Sequence, residues 1–230
     1  MKKSLASVSS FRQTKRSPLW PIALVLGALA VTQAQAATMT FEGLKDFEYV
    51  QTYYAGGQGS KGSGPGADLG VSFTGNAYTS IDADDGGTGN FGGEPSPGTA
   101  ISFQQGSAFM NVERGFAGTL SFYYSNPNRA SRITIHSGKS GTGDVLAVLD
   151  LPRTPYQGAM DPTGNLGPFV FASISFSGVA KSVDFLSLAN RAYVDDISIS
   201  PAPVPEPATW TLFGLGMGLM SMAAKRRRRA

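Results

Sequence analysis

The sequence predicts an all-β protein: an antiparallel β-sandwich of jelly-roll type, with an N-terminal signal peptide and a C-terminal transmembrane helix. Three observations predict it. Apolar and polar residues alternate with a period of two over about ten short segments. Glycine-rich turns separate those segments at regular spacing. No stretch carries the three-to-four-residue spacing of an amphipathic helix. The candidate strands are 38–42, 71–74, 100–103, 108–112, 119–124, 132–136, 145–149, 169–176, 182–186 and 192–199. Ser125-Asn126-Pro127-Asn128 and the Gly-Lys-Ser-Gly-Thr-Gly run at 138–143 are the plainest turns, since these residue types favour reversal of the chain. No internal repeat supports a propeller or solenoid. Two loops, 55–69 and 82–98, are too rich in glycine and polar side chains to be expected in a core, and they are where function would vary.

Composition bounds the chemistry. Of 230 residues, 29 are Gly, 14 are Pro, one is His and none is Cys. The absence of cysteine excludes a disulfide scaffold, a thiolate zinc site and a cysteine nucleophile. Residues 37–200 are long enough for one domain with its own core. The positive charge sits at the ends: Lys2, Lys3, Arg12, Lys15 and Arg16 in front, and Lys225, Arg226, Arg227, Arg228 and Arg229 behind. Residues 37–200 hold nine Lys and Arg against fifteen Asp and Glu, a net charge of −6. A folded part of that sign lacks the basic face that phosphate backbones require, so nucleic acid is not an expected partner.

Residues 1–36 have the form of a secretory signal. A positively charged start is followed by an apolar run at 19–31 and then by Ala34-Gln35-Ala36, a small-x-small site that signal peptidase cuts, here between Ala36 and Ala37. Such a run reaches only ~20 Å across a hydrocarbon layer of ~30 Å. Pro21 interrupts it as well. At the other end, 201–207 is a proline-rich linker that cannot be helical. Residues 208–224 carry no charge and predict a transmembrane helix of ~25 Å, its reach extended by Trp210 at one interface and the basic 225–230 tail at the other. The positive tail stays inside, which places the domain outside. Gly214 and Gly218 have the spacing of a helix-pairing face.

The order Val204-Pro205-Glu206-Pro207-Ala208, apolar helix, basic cluster, chain end closely resembles the PEP-CTERM sorting signal of Gram-negative bacteria. The resemblance implies recognition by an exosortase, a membrane-embedded enzyme that cuts near the Pro-Glu-Pro. Pro205, Glu206 and Pro207 would then be read as substrate and Lys225 to Arg229 as the membrane stop signal. It further implies transient anchoring in the inner membrane, then a place at the cell surface or in the extracellular matrix of an organism that makes extracellular polysaccharide. A second resemblance lies in the middle. Phe122-Tyr123-Tyr124 through Ile133-Thr134-Ile135, the 141–146 turn, Ser182-Val183-Asp184-Phe185 and Tyr193-Val194-Asp195-Asp196-Ile197 are similar to other PEP-CTERM ectodomains and to the jelly roll of carbohydrate-binding modules. That likeness implies a structural calcium linking the first and last strands.

The residues themselves offer few sites. By strict alternation Tyr193, Asp195, Ile197 and Ile199 share one face, so Asp195 points to the core if the isoleucines do. A buried carboxylate needs an arginine, backbone N–H groups or a metal. Calcium, with ~6 to 8 oxygen ligands, suits an exported domain without cysteine. Glu42 at the end of the first strand is placed to join Asp195 there, while a turn-capping Asp195 is the alternative. Asp82-Ala83-Asp84-Asp85-Gly86-Gly87 has calcium-loop character but departs from the EF-hand pattern at Gly86 and Gly93, so a solvated acidic loop is expected. Gly138-Lys139-Ser140 is a hairpin turn, because Ile133 stands where a phosphate loop needs glycine. His136 lies on the polar face of its strand, and no Gly-x-Ser-x-Gly elbow accompanies it. Tyr53, Tyr54, Tyr78, Tyr123 and Tyr156 are candidates for stacking on sugar rings or for packing. The function these features predict is a non-catalytic module that binds or organises extracellular polysaccharide. The alternatives are a structural or adhesion protein of the matrix without a defined ligand and, third, a polysaccharide hydrolase or lyase.

Overall fold

The computed structural model describes residues 36–158, 164–202, 214, 216–218 and 225. They contain β1 (Ala37–Met39), β2 (Val71–Phe73), β3 (Ala77–Ile81), β4 (Thr99–Phe103), β5 (Phe109–Ser125), β6 (Ser131–His136), β7 (Val145–Leu151), β8 (Val170–Asp184) and β9 (Tyr193–Pro201). The strands pair antiparallel throughout. Their order is β3-β4-β9-β5-β8-β6-β7, with β1 joined to β9 and β2 joined to β5. The chain is therefore all-β and antiparallel, and the two faces of the expected sandwich belong to one continuous hydrogen-bonded sheet.

Continuity comes from two long strands that the sequence reading divides. Segments 108–112 and 119–124 are parts of the 17-residue β5. Its register shifts between Asn111 and Phe116 and again between Ala117 and Gly118. Gly115 and Gly118 take φ of 80° and 82°, a conformation that residues with a Cβ avoid. The resulting bulges turn the strand without ending it. Before them β5 lies beside β2, with Val71 opposite Val112; after them it lies beside β9, with Leu120 opposite Ile199. Segments 169–176 and 182–186 likewise merge, into the 15-residue β8, which follows β5 along its length and at Ser182 to Asp184 pairs on its other edge with β6.

One strand has no counterpart among the candidates. β3 reads Ala-Tyr-Thr-Ser-Ile, and its buried Thr79 donates a hydrogen bond to Lys45 O at 2.6 Å and accepts one from Glu48 N at 3.1 Å. A satisfied hydroxyl at a buried position hides the apolar alternation on which strand prediction rests. β1 is shorter than 38–42, because Phe41 leaves the extended region at φ 63° although its ring is fully buried.

The core lies under these strands. Phe41, Phe103, Phe116, Phe122 and Phe185 are fully buried together with Met39, Ile101, Ile133, Ile135 and Ile197. Phe103 stacks on Phe185 with ring centroids 5.0 Å apart, and Phe122 meets Phe185 edge-on at 5.9 Å, both favoured aromatic geometries. In β6 the buried Ile133 and Ile135 alternate with exposed Arg132 and half-buried Thr134 and His136. The 138–143 run closes the β6–β7 hairpin: Ser137 N donates to Asp144 O and Gly138 N to Thr142 O, each at 2.9 Å. The two long loops depart from expectation. Ser63, Asp82, Phe91 and Ser96 are all buried, so each loop folds back onto the sheet.

Ala37 opens β1 directly after the exposed, irregular Ala36, so the expected cleavage falls at the first strand. The rest of the signal segment, the motif Pro205, Glu206 and Pro207, and Arg226, Arg227, Arg228 and Arg229 lie outside the described residues. Within the expected transmembrane segment, 214 and 216–218 are helical, as is Lys225. Among the described residues no helix is long and apolar enough to cross a membrane.

Candidate functional site

Two places concentrate polar chemistry. The first is a pocket of about 340 Å³ at the mouth formed by β3, β4 and the start of β9, lined by Tyr78, Ser102, Asn128, Asn190, Arg191 and Tyr193 among others. Local backbone geometry presents these side chains. Asn190 holds φ 56° and its N–H donates to Phe103 O at 2.7 Å, while Ser102 Oγ donates to Ala192 O at 2.9 Å. The 190–193 segment is thereby tied to β4, with Asn190 and Arg191 exposed. Tyr193 leans on the buried Phe91 at 4.6 Å. Burial, with smaller contributions from its neighbours, pushes its phenol above the usual range, so it is neutral and able to donate at physiological pH.

Tyr78 extends the pocket into an aromatic platform. Phe47 stacks on it with centroids 5.9 Å apart and rings within 14° of parallel, and Tyr49 meets it edge-on at 6.4 Å. Phe47 is 52% exposed and sits at φ 53°. A bulky residue in the left-handed region is a true outlier, and strain of this kind collects at functional sites. Flat rings beside amide, hydroxyl and guanidinium groups can take a ligand with one apolar face and many hydroxyls.

Of the tyrosines singled out by sequence, only Tyr78 lines this pocket. Tyr53 and Tyr54 are buried; Tyr53 donates to Glu42 O at 3.1 Å, and Tyr54 accepts from Phe41 N at 2.7 Å. Tyr123 packs edge-on against Phe171, and Tyr156 is exposed on the loop after β7. Sequence reasoning missed Phe47, Asn128, Asn190 and Arg191. The Asn190-Arg191 pair beside the last strand was the available signal, but asparagine in a turn has an ordinary explanation.

The second place is acidic. Asp195 is fully buried. Its Oδ2 accepts from Ser96 Oγ at 2.8 Å, and its Oδ1 accepts from Asp196 N at 2.6 Å. Burial pushes its carboxyl up to about 8, against the opposing effect of the Ser96 hydrogen bond. Glu42 accepts from Thr99 N at 3.1 Å and Thr99 Oγ1 at 3.0 Å, and burial, reinforced by the charges of Asp85 and Asp196, raises it too. Asp196, at φ 50° in β9, keeps a buried Oδ1 to which no donor is assigned. Segment 96–99 thus bonds to Asp195 through Ser96 and to Glu42 through Thr99. This negative neighbourhood suits a cation electrostatically. However, each carboxylate is already engaged by that segment, and among the described residues no three acidic, histidine or cysteine side chains converge on a metal position.

A groove of about 420 Å³ lies between the end of β7 and the start of β8, with Leu149, Leu151, Val170 and Phe171 in its walls. Asp150, the acidic side chain among its described lining residues, is paired with Arg132 at 2.7 Å.

Residues 203–229 match the model of the PEP-CTERM protein-sorting motif. No curated protein matches the chain. Among solved structures, the chain is similar to the K2 cleaved adhesin domain of Lys-gingipain, at 12% identity and a TM-score of 0.41 over 71% of this chain and 97% of that one. It is similar to a family 6 carbohydrate-binding module at 21% identity and TM-score 0.33, over 48% of this chain and 79% of the other. It is also similar to a β-1,3-glucan-binding module of that family from Bacillus halodurans, at 17% identity and TM-score 0.33 over 55% and 87%. At such TM-scores these likenesses carry no weight for function.

Proposed function

We propose that this is an exported, non-catalytic protein of the cell surface or extracellular matrix whose β-domain binds extracellular polysaccharide. Signal peptidase cuts between Ala36 and Ala37, the 208–224 helix anchors the chain in the inner membrane for a time, and an exosortase cuts near Pro205, Glu206 and Pro207. The match of 203–229 to the sorting motif supports the second half of that itinerary. Glu206→Ala should leave the protein in the membrane fraction; normal release of that variant would refute the sorting role.

The pocket carries the binding reading. A stacked Phe47–Tyr78 platform beside Asn128, Asn190, Arg191 and Tyr193 offers both a ring face and directional hydrogen bonds, the pairing that a pyranose requires. Among the described residues neither the pocket nor the groove is lined by two carboxylates, so the described linings lack the acid pair of a glycosidase. Calcium at Glu42 and Asp195 belongs to this proposal as a structural ion, with Asp196 beside it; its support is the unbalanced negative charge described above. The test is calorimetric titration with extracellular polysaccharide. Tyr78→Ala and Arg191→Ala should each weaken binding about tenfold, the scale of one lost aromatic or charge-assisted contact, with an unchanged melting curve. Equal affinity of wild type and both variants would exclude this pocket.

One observation favours the structural alternative. Val170 and Phe171 line the groove and are exposed, and Val145 and Val148 are exposed along β7, apolar surface of the kind that packs against other macromolecules. If the protein binds no polysaccharide but self-associates, and Val148→Lys abolishes the association, the matrix reading replaces the first.

A further inference from the structure

The pocket beside Tyr78 holds a positive charge and no acid to balance it. Arg191 is among its described lining residues, and none of them is aspartate or glutamate. In this domain that is unusual, since residues 37–200 carry fifteen acidic side chains against nine basic ones. Among the described residues the ion pairs are Arg132–Asp150 and Lys139–Glu113, so Arg191 has no carboxylate partner there. Its backbone is nevertheless fixed. Arg191 N donates to Leu188 O at 3.1 Å, Asn190 N donates to Phe103 O at 2.7 Å, and Ala192 O accepts from Ser102 Oγ at 2.9 Å. Exposed Asn128 and Asn190 add amide donors to the same lining, and exposed Arg129 follows Asn128 directly in the chain. The acids whose charge reaches Tyr193 are Asp46 and Asp82. Asp46 is engaged by Ile81 N at 2.9 Å and Thr88 Oγ1 at 2.6 Å, and Asp82 is fully buried. Neither serves the guanidinium as a counter-ion.

We infer that this pocket takes an acidic polysaccharide, one whose sugar carries an oxyanion such as a uronic carboxylate or a sulfate ester, and that Arg191 is the residue that selects it. The inference rests on the polysaccharide reading of the pocket and adds the chemical class of the ligand. A guanidinium fork receives two oxygens of one acid group at once, a geometry that an ammonium or an amide does not match. Stacking on Tyr78 fits a sugar face of either kind, so the platform holds the ring and Arg191 supplies the preference. The net negative charge of the domain does not oppose this, because exposed charges farther away than ~8 to 10 Å are screened at physiological salt.

The test is calorimetric titration of the full-length protein in detergent with oligogalacturonate, with its methyl ester, which keeps the sugar and removes the charge, and with dextran sulfate against dextran. Oligogalacturonate should bind about tenfold more tightly than the ester, the scale of one charge-assisted contact. Arg191 is exposed, so Arg191→Gln should melt like wild type; it should keep the affinity for the ester and lose the preference for the acid. Arg191→Lys should restore only part of that preference, and Tyr78→Ala should weaken acid and ester alike. A preference for dextran sulfate over dextran that disappears in Arg191→Gln upholds the inference with sulfate as the anion. Equal binding of the charged and uncharged members of both pairs overturns it and leaves the polysaccharide reading standing on the ester. A preference that survives in Arg191→Gln also overturns it and assigns the anion to other basic residues, such as the 225–229 cluster. Binding of no probe overturns both.

Discussion

Glu48 and Asp82 are both fully buried carboxylates against glycine-rich loops, and their surroundings treat them in opposite ways. Glu48 Oε1 accepts from Lys61 N at 2.7 Å and Ser63 N at 3.1 Å, and Oε2 accepts from Lys45 N at 2.8 Å. Burial pushes its carboxyl up, but the hydrogen bonds from Ser63, Lys45 and Lys61 outweigh burial and hold it below the ordinary value. Asp82 receives one amide and faces Asp84 and Glu94. The 55–69 loop uses its buried acid as an internal cap that fixes the backbone. The 82–98 loop leaves its acid in deficit. Sequence composition makes the loops look alike; the direction of a few N–H bonds gives one acid three amides and the other a single one.

Removing the cap should have the largest effect. Glu48→Ala leaves the buried amide of Ser63 and the partly buried amides of Lys45 and Lys61 without acceptors and should destabilise the domain by about 2 to 4 kcal/mol, read as the urea midpoint; a midpoint within error of wild type would mean the loop does not need this acid. Gly59→Ala attacks the same contact from the other side. A Cβ there would stand 2.5 Å from Glu48 Oε1 and 2.7 Å from Leu44 Cδ2, a clash expected to cost about 1 to 3 kcal/mol. If Gly59→Ala melts like wild type, the loop yields and the comparison weakens.

The pH dependence should separate the two acids by sign. Glu48, depressed in the fold, contributes stability that is present above its unfolded value of 4.5 and lost as pH falls through its lower folded value. Asp82 and Asp195, raised to about 7 and about 8 from 3.8, contribute stability that is present below 3.8 and lost as pH rises toward those values. With divalent ions chelated, melting temperature should therefore fall on both sides of the acid range. Glu48→Gln should flatten the acid limb and Asp195→Asn the alkaline limb; matching profiles for both variants would dissolve the distinction. The smallest effect belongs to Asp82→Asn. In chelator near pH 8 it should raise stability by under about 1 kcal/mol, since it removes repulsion and supplies a donor toward Asp84. A loss of stability instead would show that the charge of Asp82 is satisfied.

Much of the strand content was legible. Ile133 and Ile135, or Ile197 and Ile199, announce their strands because an apolar side chain at every second position has no other economical placement. The gaps are instructive. β3 escaped because Thr79 satisfies its hydroxyl inside the fold, and β5 was divided at Glu-Arg-Gly-Phe-Ala-Gly because glycine marks a bulge and a turn with the same letter. Asp195 is buried as expected, although the alternation that suggested it breaks at Asp196 (φ 50°), where β9 shifts register against β5 and Asp195 falls opposite Tyr123; Asp82 read as solvated because the run it opens, Asp82 to Gly87, is acidic and glycine-rich, even though Ile81 precedes it. The pocket beside Tyr78 was barely readable. Phe47, Asn128 and Asn190 are brought together by β3, β4 and β9, and no local pattern carries that proximity.

The linear chain by itself determined the antiparallel all-β class, the acidic domain between basic ends and the sorting motif. Each depends on periodicity, composition or contiguous residues, which are properties of short stretches. Tertiary structure alone decided that β5 and β8 run unbroken through their bulges, that Phe47 reaches Tyr78, and that one buried acid finds three amides while another finds one. Those outcomes depend on directions and separations between residues far apart in the chain, and a hydrogen bond or a charge pair responds to angstroms that residue order does not encode.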